Sequence, residues 1–106
     1  MGLSLNDNLK IGSGIKAFTV SLGDGIGNRA QIATNEAKSV TLRLPNNTER
    51  ENDGICYYGG ASSATDTNFA TLGPNESYAA DVDNSDAFWV YGSTSGLTLE
   101  VSIIQH

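Results

Sequence analysis

Apolar and polar residues alternate along much of this chain. Phe18, Val20 and Leu22 alternate with Thr19 and Ser21. Val40, Leu42 and Leu44 alternate with Ser39, Thr41 and Arg43. Leu97, Leu99, Val101 and Ile103 alternate with Thr98, Glu100 and Ser102. Period two places successive side chains on opposite faces of a strand, so each stretch predicts a half-buried β-strand. Weaker versions predict strands over Arg29–Thr34, with Ala30 and Ile32 inward, over Gly54–Gly60, and over Ser77–Val82. Ala87–Tyr91 predicts the most aromatic strand. There every residue from Phe88 to Tyr91 is apolar or aromatic, so either Phe88 and Val90 or Trp89 and Tyr91 face inward. Nowhere do helix formers keep a 3.6-residue period.

The intervals between these stretches carry turn chemistry. Gly23-Asp24-Gly25-Ile26-Gly27-Asn28 predicts a hairpin loop, because glycine and asparagine tolerate positive φ. It lacks the Lys-Ser/Thr pair of a phosphate-binding loop. Pro45 ends the strand before it, since proline has no donor for a ladder. Gly73-Pro74-Asn75-Glu76, Asp83-Asn84-Ser85-Asp86 and Gly92–Gly96 read as further turns. Ala61–Asn68 reads as a surface loop pinned by Phe69 and Leu72. The pattern predicts an all-β fold: an antiparallel β-sandwich or small jelly-roll-like barrel of about seven to eight short strands. Residues 15–106 form the single domain. Residues 1–14, with Leu3, Leu5, Leu9 and Ile11 among polar neighbours and no helical face, form an N-terminal arm.

Composition narrows the function classes. The chain has 106 residues, the size of one domain. Net charge is −6, and every Lys and Arg lies before Glu51. That split predicts a polar molecule with a mildly basic surface for docking and an acidic one facing solvent. It argues against nucleic-acid partners, which need clustered cations. Neither a secretory signal nor an apolar run long enough for a membrane helix is recognisable, so a soluble protein made in a cytoplasm is expected.

Little points to catalysis. The one histidine is His106, and the one cysteine, Cys56, sits in an apolar run that suits packing. No enzyme activity and no cofactor are expected. Asp81, Asp83 and Asp86 are a weak calcium candidate, since one turn gathers several oxygen ligands. They lack the spacing of an EF-hand, and Asx turns account for the same residues. Tyr58, Trp89 and Tyr91 are a candidate ligand platform, because aromatic faces stack against sugar CH groups. The main expectation for Trp89 is the core, with Tyr58 and Tyr91 as the outward pair.

About half of the chain carries a resemblance. Tyr57-Tyr58-Gly59-Gly60, a Ser/Thr/Asn-rich loop, Leu72-Gly73-Pro74-Asn75-Glu76-Ser77, Phe88-Trp89-Val90-Tyr91-Gly92-Ser93 and the final strand Leu97–Ile104 follow in that order. This order resembles a group of small tailed-bacteriophage virion proteins, in which glycine often stands where Asn75 stands here. The resemblance implies a non-enzymatic structural protein on the capsid surface of a virion, a head decoration or cement protein. Its partners would be the major capsid protein and neighbouring copies of itself, as a homo-oligomer on the shell. The contact residues would be Leu3, Leu5, Leu9, Lys10, Ile11, Lys16 and Lys38. The competing expectation is a carbohydrate- or receptor-binding module of a phage fibre or other host-contact surface.

Overall fold

The computed structural model describes residues 14–45 and 54–105. Eight strands build two four-stranded antiparallel sheets. They are β1 (Ile15–Ser21), β2 (Ala30–Gln31), β3 (Ser39–Arg43), β4 (Cys56–Gly59), β5 (Ala70–Leu72), β6 (Ser77–Ala80), β7 (Trp89–Gly92) and β8 (Thr98–Ile104). The first sheet has the order β1-β8-β3-β6 and the second β2-β7-β4-β5. The all-β sandwich of jelly-roll type expected from the alternation is the fold observed.

Every connection except β4 to β5 passes from one sheet to the other. This changes the role of the turns. The glycine run after β1 is not a hairpin loop but a corner between sheets. It caps β7: Gly92 N–H donates to the Gly23 carbonyl at 2.8 Å, and Gly25 N–H donates to the Gly92 carbonyl at 2.9 Å. The segments 73–76, 83–86 and 93–97 are corners of the same kind. Asn75 sits at φ 64° in the first of them, the left-handed region that asparagine and glycine tolerate best. That is the physical content of exchanging glycine and asparagine at this position.

The within-sheet connection contains a strand that alternation did not reveal. Ala70-Thr71-Leu72 is too short and too small in side chain to stand out, yet it pairs with β4 from Cys56↔Leu72 to Tyr58↔Ala70. Conversely β2 is shorter than expected. Only Ala30 and Gln31 pair with β7, and Ala30, opposite Val90, is on the inner side as expected yet remains exposed. Ile32 is buried as expected, its N–H donating to the Phe88 carbonyl at 3.0 Å.

The core lies between the sheets. Val40 and Leu42 of β3 and Leu99, Val101 and Ile103 of β8 face Cys56 of β4, Leu72 of β5 and Val90 of β7, with Phe88 and Leu97 at their margins. Full burial of each large apolar side chain stabilises by about 1.5–3 kcal/mol before chain entropy is counted. The ambiguity in the aromatic strand is resolved: Phe88 and Val90 point in, and Trp89 and Tyr91 do not.

Candidate functional site

Of the expected capsid contacts, Leu3, Leu5, Leu9, Lys10 and Ile11 lie outside the described residues. Lys16 and Lys38 both lie at the end of the first sheet where β8 finishes. Lys16 is the register partner of Ile103, and Lys38 N–H donates to the Ile104 carbonyl at 2.6 Å. Lys16, opposite the buried Ile103, starts from the inner side, whereas Ile15 of β1 pairs directly with Ile104 of β8 on the outer face. Both isoleucines are large, apolar and about half exposed, at 53% and 52%. Lys16 is held by its ammonium group, which donates to Asn35 Oδ1 at 2.6 Å.

The two halves of the chain do not become two faces. Strands from the first half (β1 and β3) alternate with strands from the second (β8 and β6) in one sheet, and β2 joins three second-half strands in the other. Arg43 ion-pairs with Glu100 at 2.7 Å on the outer face, while Arg29 serves the opposite sheet. The expected basic and acidic surfaces are therefore corrected to an interleaved distribution.

The aromatic platform is also rearranged. Register puts Tyr58 beside Val90, on the inner face, and Tyr57 beside Tyr91, on the outer face. The outward pair is thus Tyr57 and Tyr91, not Tyr58 and Tyr91. Trp89, expected in the core, joins them on the outer face, half-buried beside Gly59. Tyr57 and Tyr91 stack with centroids 4.5 Å apart, and Phe69 meets Tyr91 edge-on at 4.9 Å. One face of each stacked ring is covered by the other, which leaves little of the open platform that sugar stacking requires.

Arg29 organises this face. Its guanidinium lies 5.9 Å from the Phe69 ring centre, and Nη1 donates to the carbonyls of Ser63 at 2.9 Å and Asp66 at 2.6 Å. Ser63 is buried, and its hydroxyl donates to the Asn68 carbonyl at 3.1 Å. The polar loop after β4 is therefore clamped onto the sheet. No sequence signal marked Arg29 for this role, because the loop carbonyls it holds are more than 30 residues away.

The open space lies elsewhere. Between β4–β5 of one sheet and β6 of the other, a cleft of about 350 Å³ is lined by Tyr58, Tyr78, Val82, Phe88, Ser62 and Asn68, among others. Tyr58 and Tyr78 come from different sheets, with centroids 4.8 Å apart and planes inclined by 34°. Phe88 stands edge-on to Tyr78 at 6.4 Å. Among the described residues, those lining this cleft carry no charged side chain. Burial raises the Tyr58 hydroxyl pKa above its ordinary value, with smaller contributions from Tyr78, Cys56 and Glu76. The sequence singled out Tyr58 but not Tyr78, whose role depends on the pairing of the two sheets' edges.

Asp81, Asp83 and Asp86 do not converge. Asp86 Oδ2 accepts from the Thr34 hydroxyl at 3.1 Å, and Asn84 Oδ1 accepts the N–H groups of Asp86 and Asn35 at 3.1 and 2.9 Å. This is turn chemistry. Among the described residues no three His, Cys, Asp or Glu side chains are placed to hold one metal ion, so the calcium candidate is corrected. Cys56 faces the core with no exposed surface, and burial pushes its thiol up to about 12. A protonated, enclosed thiol is a poor nucleophile. His106 lies outside the described residues.

Neither a protein-family model nor a curated protein matches this chain. Similar solved structures exist. A cupin superfamily protein from Desulfitobacterium hafniense superposes with a TM-score of 0.54 at 9% identity, over 87% of this chain and 68% of that one. A de novo designed double-stranded β-helix gives a TM-score of 0.46 at 13% identity, over 87% and 97%. A protein of the disulfide-linked pili of Bacillus endospore appendages gives 0.45 at 12%, over 87% and 86%. At 9% identity the likeness to the cupin superfamily protein is one of fold alone. It agrees with the strand orders: an antiparallel β-sandwich of jelly-roll type.

Proposed function

We propose that this chain is a non-enzymatic structural protein of a tailed-bacteriophage virion, a decoration protein seated on the outer surface of the head. It would be made in the host cytoplasm. On the shell it would bridge subunits of the major capsid protein and copies of itself. The resemblance in the second half of the sequence motivates the reading. The observation that carries it is the Ile15–Ile104 pair, two large apolar side chains left exposed on the outer face of the first sheet. Exposed apolar side chains set together are a feature of docking surfaces, and the exposed Lys38 lies at the same end of the sheet. In sequence Ile15 directly follows residues 1–14, the arm expected to reach a neighbour. Among the described residues β1 pairs with β8 alone, so its other edge is open to an added strand.

Co-sedimentation with empty capsids of the phage it requires tests this reading. Ile104→Asp and Lys38→Glu change exposed side chains and should leave the fold intact. Each is expected to weaken shell binding by about tenfold or more, the effect of removing a contact worth ~1.4 kcal/mol. Unaltered sedimentation of both variants would contradict the assignment of this patch.

A further inference from the structure

We infer that the cleft between β4–β5 and β6 is a binding site for a neutral sugar ring, held against Tyr58, Tyr78 and Phe88 with its hydroxyls toward Ser62 and Asn68. This inference goes beyond the capsid reading and does not depend on it. The cleft opens at the β6 edge on the inner side of the first sheet. The Ile15–Ile104 patch lies on the outer side of β1 and β8, with β3 between.

Three observations select the ligand class. The first is exposed aromatic surface. Tyr58 and Tyr78 contact each other, with centroids 4.8 Å apart and planes inclined by 34°, so a ligand stacks on ring surface outside the pair and not between them. Tyr78 is 41% exposed, so part of its ring is not consumed by the core. The second is the mixed lining. Tyr58, Tyr78, Val82 and Phe88 line the cleft together with Ser62, Asn68 and the glycines Gly59 and Gly60. A wholly apolar ligand would leave the polar groups facing carbon, at a desolvation cost. A pyranose has apolar CH faces and a hydroxyl edge, so it suits a mixed lining. The third is charge. Among the described residues, the lining offers neither a cation for a phosphate nor a carboxylate for an amine, which favours a neutral ligand. The volume, about 350 Å³, lies at the small end of ligand sites, which suits one or two sugar rings.

The test uses the full-length 15N-labelled protein. The probes are the methyl glycosides of glucose, galactose and N-acetylglucosamine at about 10 mM each, enough to fill even a millimolar site. Amide shifts are expected for at least one glycoside, centred on Tyr58, Asn68, Tyr78 and Val82. Tyr78→Ala is expected to weaken that binding by about tenfold, the value of a lost ring contact of ~1.4 kcal/mol. Ala80→Leu, which fills the cleft without removing a ring, is expected to do the same and decides the matter if Tyr78→Ala fails to fold. Tyr91→Ala should leave binding intact. The inference is overturned by an absence of shifts with all three glycosides. It is equally overturned by shifts centred on Tyr57, Trp89 and Tyr91, or by binding that survives in the folded cleft variants. Shell binding by these same variants separates this outcome from the capsid reading.

Discussion

Tyr57 and Tyr91 stack across the ladder between β4 and β7, their ring centres 4.5 Å apart and their planes within 6° of parallel. This is a cross-strand pair on the outer face, the unit that stabilises a sheet beyond its backbone bonds. Phe69 closes against Tyr91 edge-on at 4.9 Å. The outer face of the second sheet thus carries a small apolar cluster that the loop after β4 partly roofs.

Tyr91→Ala removes both ring contacts and some buried area. A loss of about 2 kcal/mol in unfolding free energy is expected, since each aromatic pair is worth ~0.5–1.5 kcal/mol beyond burial. Urea titration of Tyr57→Ala, Tyr91→Ala and the double variant should show non-additivity. Strict additivity would mean that the stack contributes nothing of its own.

Arg29 links this cluster to the loop through the carbonyls of Ser63 and Asp66. Hydrogen bonds from a charged donor are worth roughly 1.5–3 kcal/mol when partly buried. Arg29→Ala should accelerate hydrogen exchange at the Ser63, Thr65 and Asp66 amides by about tenfold or more, with much smaller changes in β8. Equal acceleration throughout the sheet would show that Arg29 supports global stability and not the loop.

Cys56 sets an alkaline limit. Its folded pKa is pushed from 9.0 to about 12 by burial, so the folded state keeps a proton that the unfolded chain releases. Stability is therefore full below about 9 and declines as the pH rises toward about 12, by ~1.4 kcal/mol for each unit within that window. Tyr58 and Tyr91, also raised chiefly by burial, act in the same direction. Cys56→Val should move the alkaline unfolding midpoint upward, measured by far-ultraviolet circular dichroism. The native thiol should resist labelling at pH 8 until denaturant is added. Rapid native labelling would contradict the enclosed position.

Alternation made β1, β3 and β8 legible, because each has one buried and one solvated face. It failed where both faces are covered: Phe88 to Tyr91 has an aromatic cluster on one side and the core on the other, so no polar residue marks the inward set. It also missed β5, whose Ala70 and Thr71 are exposed. The turns were legible as turns, but whether a turn closes a hairpin or changes sheets is decided by distant pairing. For the same reason the charge split along the sequence did not survive folding, since strands of the two halves interleave. Tyr78 and Arg29 acquire their roles only through partners in other elements, which no local pattern encodes.

The most direct test of the central claim is electron cryo-microscopy of the purified protein mixed with undecorated and mature capsids of the phage that the decoration reading requires. The decoration reading predicts extra density at defined symmetry positions, with the Ile15–Ile104 end of the sandwich against the shell. Bare shells of both kinds at saturating protein would contradict it.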